Sequence, residues 1–183
     1  MNIIYVSAAS DPYLSGNKWN KSVVNIYIDS TPAVSTIPTN QYILWRLDII
    51  LMIERWNNML SVFGNNINFS ITNDINSADT IIKYGQVNYS WAETKKITSG
   101  STILKATIIL DDWDFATIGF NDNTVQKIVV HELGHVLGLA DITNLVAENQ
   151  KIYSVMVNDV TQSPYFRETP TFDFDRLNLN KPY

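Results

Sequence analysis

The chain has 183 residues, of which 45% are hydrophobic and 17% charged. This balance is typical of a single globular domain with its own core and excludes a disordered protein. The formal net charge of −5 disfavours nucleic acid and anionic membrane surfaces as partners. The absence of cysteine excludes disulfide bonds, thiolate zinc sites and cysteine nucleophiles.

The first part of the chain predicts a strand followed by a long helix. Residues 1–10 contain a short apolar run without a basic segment, so they do not predict a signal peptide. Residues 21–29 are rich in β-branched side chains and predict a strand. Residues 40–63 predict an amphipathic helix ending at Gly64, because apolar side chains recur at helical spacing, namely Trp45, Ile49, Met52, Trp56, Met59 and Phe63. This stretch is not predicted to span a membrane, because it contains four charged side chains, Arg46, Asp48, Glu54 and Arg55.

The middle of the chain predicts further strands. Residues 67–72 and 79–85 are each short and rich in isoleucine, which predicts two strands. Residues 100–110 predict one or two more, with an apolar run typical of a buried strand.

A second helix and a short closing helix follow the strands. Asn123 and Gln126 form a capping-box pattern that predicts the start of the second helix. Gly138 is the predicted C′ glycine at which this helix ends and the chain turns away. Residues 171–180 predict a short closing helix. This order of elements predicts an α+β fold in which helices back a mixed sheet.

The stretch HELGHVLGLAD, residues 131–141, contains both histidines of the chain. Residues at i and i+4 share one helix face, so His131 and His135 can direct their imidazoles at one ion. A catalytic zinc ion takes three protein ligands and a water. Glu132 is displaced around the helix and is placed to act on that water as a general base. The turn at Gly138 can bring Asp141 back as the third ligand.

Two simpler interpretations of these residues remain open. A helical histidine is often only a packed or exposed side chain. In the second interpretation Asp141 only caps the next turn, and water takes its place as the third ligand.

The pattern HELGHVLGLAD, with Met156 downstream in YSVM, resembles the metzincin clan of zinc metallopeptidases. That clan's motif is HExxHxxGxx followed by His or Asp, and its Met-turn places a methionine beneath the metal. The order of predicted elements is similar to that of the matrixins, and an aspartate as third ligand is shared with the snapalysin-like secreted bacterial metzincins. The resemblance therefore implies that Met156 and Gly138 support the metal site structurally.

The resemblance implies a metzincin-like fold. We expect a twisted mixed sheet, a backing helix, an active-site helix and a small irregular C-terminal subdomain ending in a helix. The whole chain, residues 1–183, would be one catalytic domain. Residues 1–138 would carry the sheet and the active-site helix, and residues 139–183 would carry the third ligand and the Met-turn.

The resemblance also implies a function, which is hydrolysis of peptide bonds by a zinc endopeptidase with Glu132 as general base. The expected partner is a protein or peptide that adds as a strand to the edge of the sheet, and we place this edge at Ser101, Thr102, Ile103, Leu104 and Lys105. Residues 157–165 would form the specificity pocket, and residues 111–115 would bind a structural calcium ion. We expect a secreted, bacterial, monomeric protein.

Two departures from the better-known members of the clan affect the chemistry. The Asp141 carboxylate lowers the formal charge of the metal–ligand unit, which would weaken Lewis acidity and shift the activity optimum upward. Asn158 stands where astacins and serralysins have a tyrosine, so the oxyanion would be stabilised mainly by zinc.

Two alternative functions remain. One is a zincin with a downstream glutamate ligand such as Glu148 or Glu168, although neither lies in the second helical motif that such enzymes have. The other is a non-catalytic or latent zinc-binding, peptide-binding relative of the metzincins. Glu132 argues against this second alternative, because a structural site needs no base and normally has four protein ligands.

Overall fold

The computed structural model describes residues 15–29, 31, 38–88, 90–112, 122–143, 147, 149 and 154–158. In chain order the elements are β1 (Lys18–Trp19), β2 (Val23–Ile28), α1 (Thr39–Val62), β3 (Asn68–Thr72), a 3₁₀ turn (Ile75–Ser77), β4 (Thr80–Gly85), β5 (Ala92–Ser99), β6 (Thr102–Asp111) and α2 (Asp122–Val136). These elements form one sheet and two helices, which agrees with the predicted combination of helices and a sheet. The predicted closing helix at residues 171–180 lies outside the described residues.

The sheet is largely parallel. Its order is β1-β6-β4-β2-β3, with β5 also paired to β6. The pairs β2–β3, β2–β4 and β4–β6 are parallel, whereas β5 is antiparallel to β6. Ile108 of β6 pairs with Ile82 of β4 and with Thr94 of β5, so β5 lies on the opposite side of β6 from β4. Within the described part of the chain, β5 is therefore an outer strand of the sheet.

The predicted position of the sheet edge, residues 101–105, is wrong. Thr102 and Ile103 of β6 pair with β1 on one side and with β5 on the other. Lys105 also pairs with Ile97 of β5. The hairpin between β5 and β6 thus places Thr102 and Ile103 inside the sheet, and the outer edge next to them belongs to β5.

Helix α1 covers the sheet with a buried apolar stripe, and its predicted range is correct to within one residue at each end. Trp45, Ile49, Met52 and Trp56 are buried as expected. Met59 is only partly buried, and the next residue, Leu60, is fully buried instead. The helical repeat explains this difference, because four residues after Trp56 bring the chain back to the same face. No helix in the described part of the chain is long and apolar enough to cross a membrane.

Helix α2 packs on α1 through specific hydrogen bonds as well as apolar contacts. The indole N–H of Trp56 donates to the carbonyl of Val130 at 2.9 Å. The amide of Gln126 donates to the Asp48 carboxylate, a largely buried group of α1, at 2.7 Å. The predicted capping box is wrong, because the helix already includes Asn123 and Gln126 bonds to α1 rather than to its own N-terminus. These bonds fix the face of α2 that carries the two histidines.

Candidate metal centre

His131 and His135 lie one turn apart on α2, and their side chains converge. The two Nε2 atoms are 3.1 Å apart. Nδ1 of His131 lies 2.8 Å from the carbonyl oxygen of Val155, and Nδ1 of His135 lies 3.0 Å from that of Leu139. A carbonyl only accepts hydrogen bonds, so each Nδ1 carries the hydrogen and donates it. The Nε2 atoms of the two imidazoles therefore face each other and are available to bind one cation.

The end of α2 returns the chain toward these histidines. The N–H of Leu139 donates to the carbonyl of Gly134 at 3.0 Å, and the N–H of Gly138 donates to that of His135 at 3.0 Å. These are the two bonds of a Schellman motif. Gly138 has the positive φ, 93°, expected of a C′ glycine. This backbone conformation reverses the chain within a few residues.

Asp141 is held beside the histidines by a short backbone bridge. The N–H of Ile142 donates to the carbonyl of Met156 at 2.7 Å, and the N–H of Asn158 donates to that of Ile142 at 3.0 Å. Oδ1 of Asp141 lies 3.1 Å from Nε2 of His131 and 3.3 Å from Nε2 of His135. The structure thus brings the three predicted ligands together, with the carboxylate directed at the imidazoles.

The donor set and its spacing fit zinc. Two atoms each bound at about 2.0–2.1 Å to a tetrahedral zinc ion are about 3.3–3.4 Å apart. The three separations among the ligand atoms are 3.1, 3.1 and 3.3 Å. In the described residues, His131, His135 and Asp141 are also the only group of three or more metal-binding side chains close enough to hold an ion. Two imidazoles and a carboxylate are ordinary ligands of a catalytic zinc ion.

The same proximity shifts the protonation of the cluster. Burial by itself would lower the pKa of His131, but the hydrogen bond to Asp141 and the charges of Glu132 and Asp141 outweigh it, so this pKa is raised. Burial would raise the pKa of Asp141, but hydrogen bonds and charge from the two histidines lower it far below its ordinary value. The contact between the two groups therefore favours the protonated form of His131 and the ionised form of Asp141.

Glu132 lies on the same helix and faces the same open cavity. The cavity has a volume of about 480 Å³, and its wall includes Thr94, Lys96, His131, Glu132, His135 and Asp141. Glu132 is almost completely buried, and one of its carboxylate oxygens, Oε2, lies 2.5 Å from the hydroxyl of Thr94. A carboxylate and three candidate metal ligands therefore line one cavity.

Strand β5 forms the opposite wall of the cavity, and the sequence interpretation did not include this strand. Thr94 contacts Glu132, and the ammonium of Lys96 donates to the carbonyl of His135 at 3.1 Å and to the hydroxyl of Ser15 at 3.1 Å. Burial lowers the pKa of Lys96, and the charge of Asp141 opposes that shift. The sequence offers one weak indication of this strand, which is the glycine at position 100 directly before the residues predicted to form β6, as in a hairpin. In the structure Gly100 has a φ of 57° and lies in the turn between the two strands.

Met156 packs beneath the histidine helix. Its side chain is 1% exposed. A Cβ atom added at Gly134 would overlap with its Sδ and would lie 3.5 Å from the ring of Trp56. The preceding residue, Val155, supplies the carbonyl that holds His131. The turn that carries Met156 therefore contacts α2 between the two histidines and also orients one of them.

We expect Gly134→Ala to destabilise the protein despite the better helix propensity of alanine. The propensity gain is about 1 kcal/mol, whereas overpacking a buried site costs about 1–3 kcal/mol, so the free energy of unfolding should fall by on the order of 1 kcal/mol. Urea unfolding of the zinc-free protein measures this change. In a Met156→Ala background the added methyl has room, and the same substitution should cost nothing or stabilise. An equal cost in both backgrounds would show that Met156 is not the obstacle.

We expect zinc to raise the melting temperature more at pH 8 than at pH 6. The raised pKa of His131 stabilises the zinc-free fold below the ordinary value of 6.5, and this contribution is lost as the pH rises through the raised pKa. The lowered pKa of Asp141 contributes above its ordinary value of 3.8, so that carboxylate stays ionised across this window. Zinc must displace the proton from His131, and this displacement costs more at pH 6. Thermal melts with zinc and with chelator at both pH values check this, and an equal zinc effect would contradict it.

Several sequence predictions fall partly or wholly outside the described residues. Asp111 accepts a hydrogen bond from the N–H of Val87 at 2.7 Å, while residues 113–115 are not described, so the calcium site stays a prediction. Of the predicted specificity pocket, residues 157–165, only 157 and 158 are described, and Asn158 lines the cavity. The alternative ligands Glu148 and Glu168 also lie outside the described part of the chain.

Comparison with known proteins does not assign the chain to a family. No protein-family model matches the chain, and no curated protein matches it. The candidate site therefore stands on the residues and geometry described above.

Proposed function

We propose that the protein is a zinc-dependent endopeptidase of the metzincin kind. One observation carries the proposal, namely that Nε2 of His131, Nε2 of His135 and Oδ1 of Asp141 converge within 3.3 Å beside the Glu132 carboxylate in an open cavity. A structural zinc site normally has four protein ligands and needs neither a base nor an open side. Three ligands with a neighbouring carboxylate favour a hydrolytic site.

In the proposed reaction His131, His135 and Asp141 hold zinc, and the backbone carbonyls of Val155 and Leu139 keep both imidazoles oriented. The ion would supply Lewis-acid chemistry, polarising the scissile carbonyl and making water more acidic. Glu132 accepts the proton of the attacking water and returns it to the leaving nitrogen as the peptide bond breaks. The buried position of Glu132 keeps this carboxylate within the cavity.

The outer strand β5 supports a peptide as the substrate class. In the described residues its backbone pairs with β6 alone, so its other edge presents the N–H and C=O groups that an extended peptide can bind as an added strand. The strand borders the cavity at Ala92, Thr94 and Lys96. A peptide bound along β5 would therefore pass the candidate metal centre.

A digest of a peptide library, read by mass spectrometry, tests the function. We expect cleavage by the zinc-loaded protein, loss of cleavage after chelation, and recovery when zinc is restored. Zinc binding without any cleavage would contradict the proposal and favour the non-catalytic or latent, peptide-binding relative. Secretion, bacterial origin and a monomeric state, which the resemblance implies, stay predictions alongside this one.

A further inference from the structure

Thr94 of β5 makes a direct hydrogen bond to the proposed general base. Its hydroxyl oxygen lies 2.5 Å from Oε2 of Glu132 and 3.3 Å from the backbone carbonyl oxygen of the same residue. A threonine hydroxyl has one hydrogen to donate, and the charged carboxylate is both the nearer and the stronger acceptor. The hydroxyl hydrogen therefore goes to Oε2.

Both partners of this bond are held by rigid parts of the fold. The backbone of Thr94 pairs with Ile108 in the antiparallel ladder between β5 and β6. A β-branched side chain has few χ1 rotamers, so the hydroxyl has little freedom to move. Glu132 lies in the middle of α2 and is 7% exposed. The bond consequently connects the carboxylate of Glu132 on α2 to strand β5 of the sheet.

We propose that Thr94 is a positioning residue, whose hydroxyl holds the Glu132 carboxylate in the orientation from which it accepts the proton of the attacking water. This inference rests on the proposed peptidase function. Thr94 transfers no proton and contacts no metal ligand atom; it donates one hydrogen bond to Oε2 while the proton moves to and from the carboxylate. A misplacement of about 1 Å in a reacting group can cost about 10²-fold in rate, which is why an anchor on this side chain matters.

Three variants of the zinc-loaded protein test the proposal. Thr94→Val keeps the shape of the side chain and removes the hydroxyl, and Thr94→Ser keeps the hydroxyl. Thr107→Val makes the same change at a partly buried position of β6 that does not line the cavity. For Thr94→Val we expect kcat to fall about 10- to 100-fold with KM within about threefold of wild type. Thr94→Ser should restore most of kcat, and Thr107→Val should not change it.

Zinc affinity, measured by competition with a chelator, is the readout independent of activity. It should be unchanged in Thr94→Val, because the substitution touches none of His131, His135 and Asp141. Unchanged kcat in Thr94→Val, in an enzyme whose wild type cleaves peptides, would overturn this proposal and leave the peptidase function intact. Equal losses in the valine and serine variants, or loss of zinc in the valine variant, would also overturn it, because the hydroxyl bond would not be the cause. A wild-type protein that binds zinc and cleaves nothing would overturn both proposals.

Discussion

Glu132→Gln is expected to abolish peptide cleavage while the protein still binds zinc. Glutamine has the shape of glutamate but cannot accept a proton, so the attacking water loses its base and the leaving nitrogen loses its acid. General acid–base catalysis contributes about 10²–10⁴-fold, and we expect kcat/KM to fall by at least this range because one group serves both steps. The histidine and aspartate ligands are untouched, so zinc affinity should change little.

Glu93→Gln is the matched control for this prediction. Glu93 also lines the cavity, but it is exposed, lies on β5, and pairs with Lys95 at 3.2 Å. The same chemical change there should leave kcat/KM close to wild type. If Glu132→Gln retained wild-type turnover, Glu132 would not be the base, and the proposed mechanism would fail even if the protein were a peptidase.

Asp141→Ala is expected to weaken zinc binding by more than about 100-fold, since even the loss of a group that only supports a ligand costs about 10- to 100-fold. The substitution removes Oδ1, which lies 3.1 and 3.3 Å from the two imidazole Nε2 atoms. One effect acts in the opposite direction, because loss of Asp141 lets the pKa of His131 fall and reduces competition from protons. We expect the lost ligand bond to outweigh this gain. Chelator competition at pH 8 measures the affinity under conditions where proton competition is smaller than at pH 6.

Glu93→Ala separates ligation from simple charge. It removes one negative charge from the same cavity without removing an atom of the ligand cluster. A small change in zinc affinity there and a large one for Asp141→Ala would identify Asp141 as a ligand. Similar small changes in both would show that Asp141 acts only through its charge or caps the turn, with water as the third ligand.

Much of the helical and central-strand structure could be predicted from local sequence patterns. The apolar stripe of α1 follows the helical period of 3.6 residues, and burial in β2 and β4 alternates with a period of 2, because one face of each element is buried. Met59 shows the limit of this reasoning, because it was predicted to be buried, whereas the adjacent Leu60 occupies the core instead. A stripe predicts the buried face, but the exact side chain depends on what packs against it.

Strand β5 could not be predicted in this way. Residues 92–99, AETKKITS, alternate in burial from Ala92 to Ile97, but this alternation does not follow polarity, because Ile97 is exposed while Thr94 and Lys96 are partly buried. An outer strand is stabilised by the ladder bonds of its neighbour, and those bonds depend on residues 102–111 rather than on its own composition. The resemblance placed the edge at residues 101–105 instead, so the sequence interpretation missed both Thr94 and Lys96.

The sequence by itself determined which side chains are candidates for the chemistry. The spacing of His131, Glu132 and His135 on one helix, and the glycine at 138, are local properties, because helix geometry and the positive φ of a C′ glycine depend on neighbouring residues alone. The tertiary structure decided whether those side chains meet. Asp141 reaches the imidazoles through the backbone bridge between Ile142 and Val157, and β5 reaches Glu132 through pairing with β6. The contact between Ile142 and Val157 and the contact between Thr94 and Glu132 both join residues that are far apart in the chain, so no local pattern encodes them.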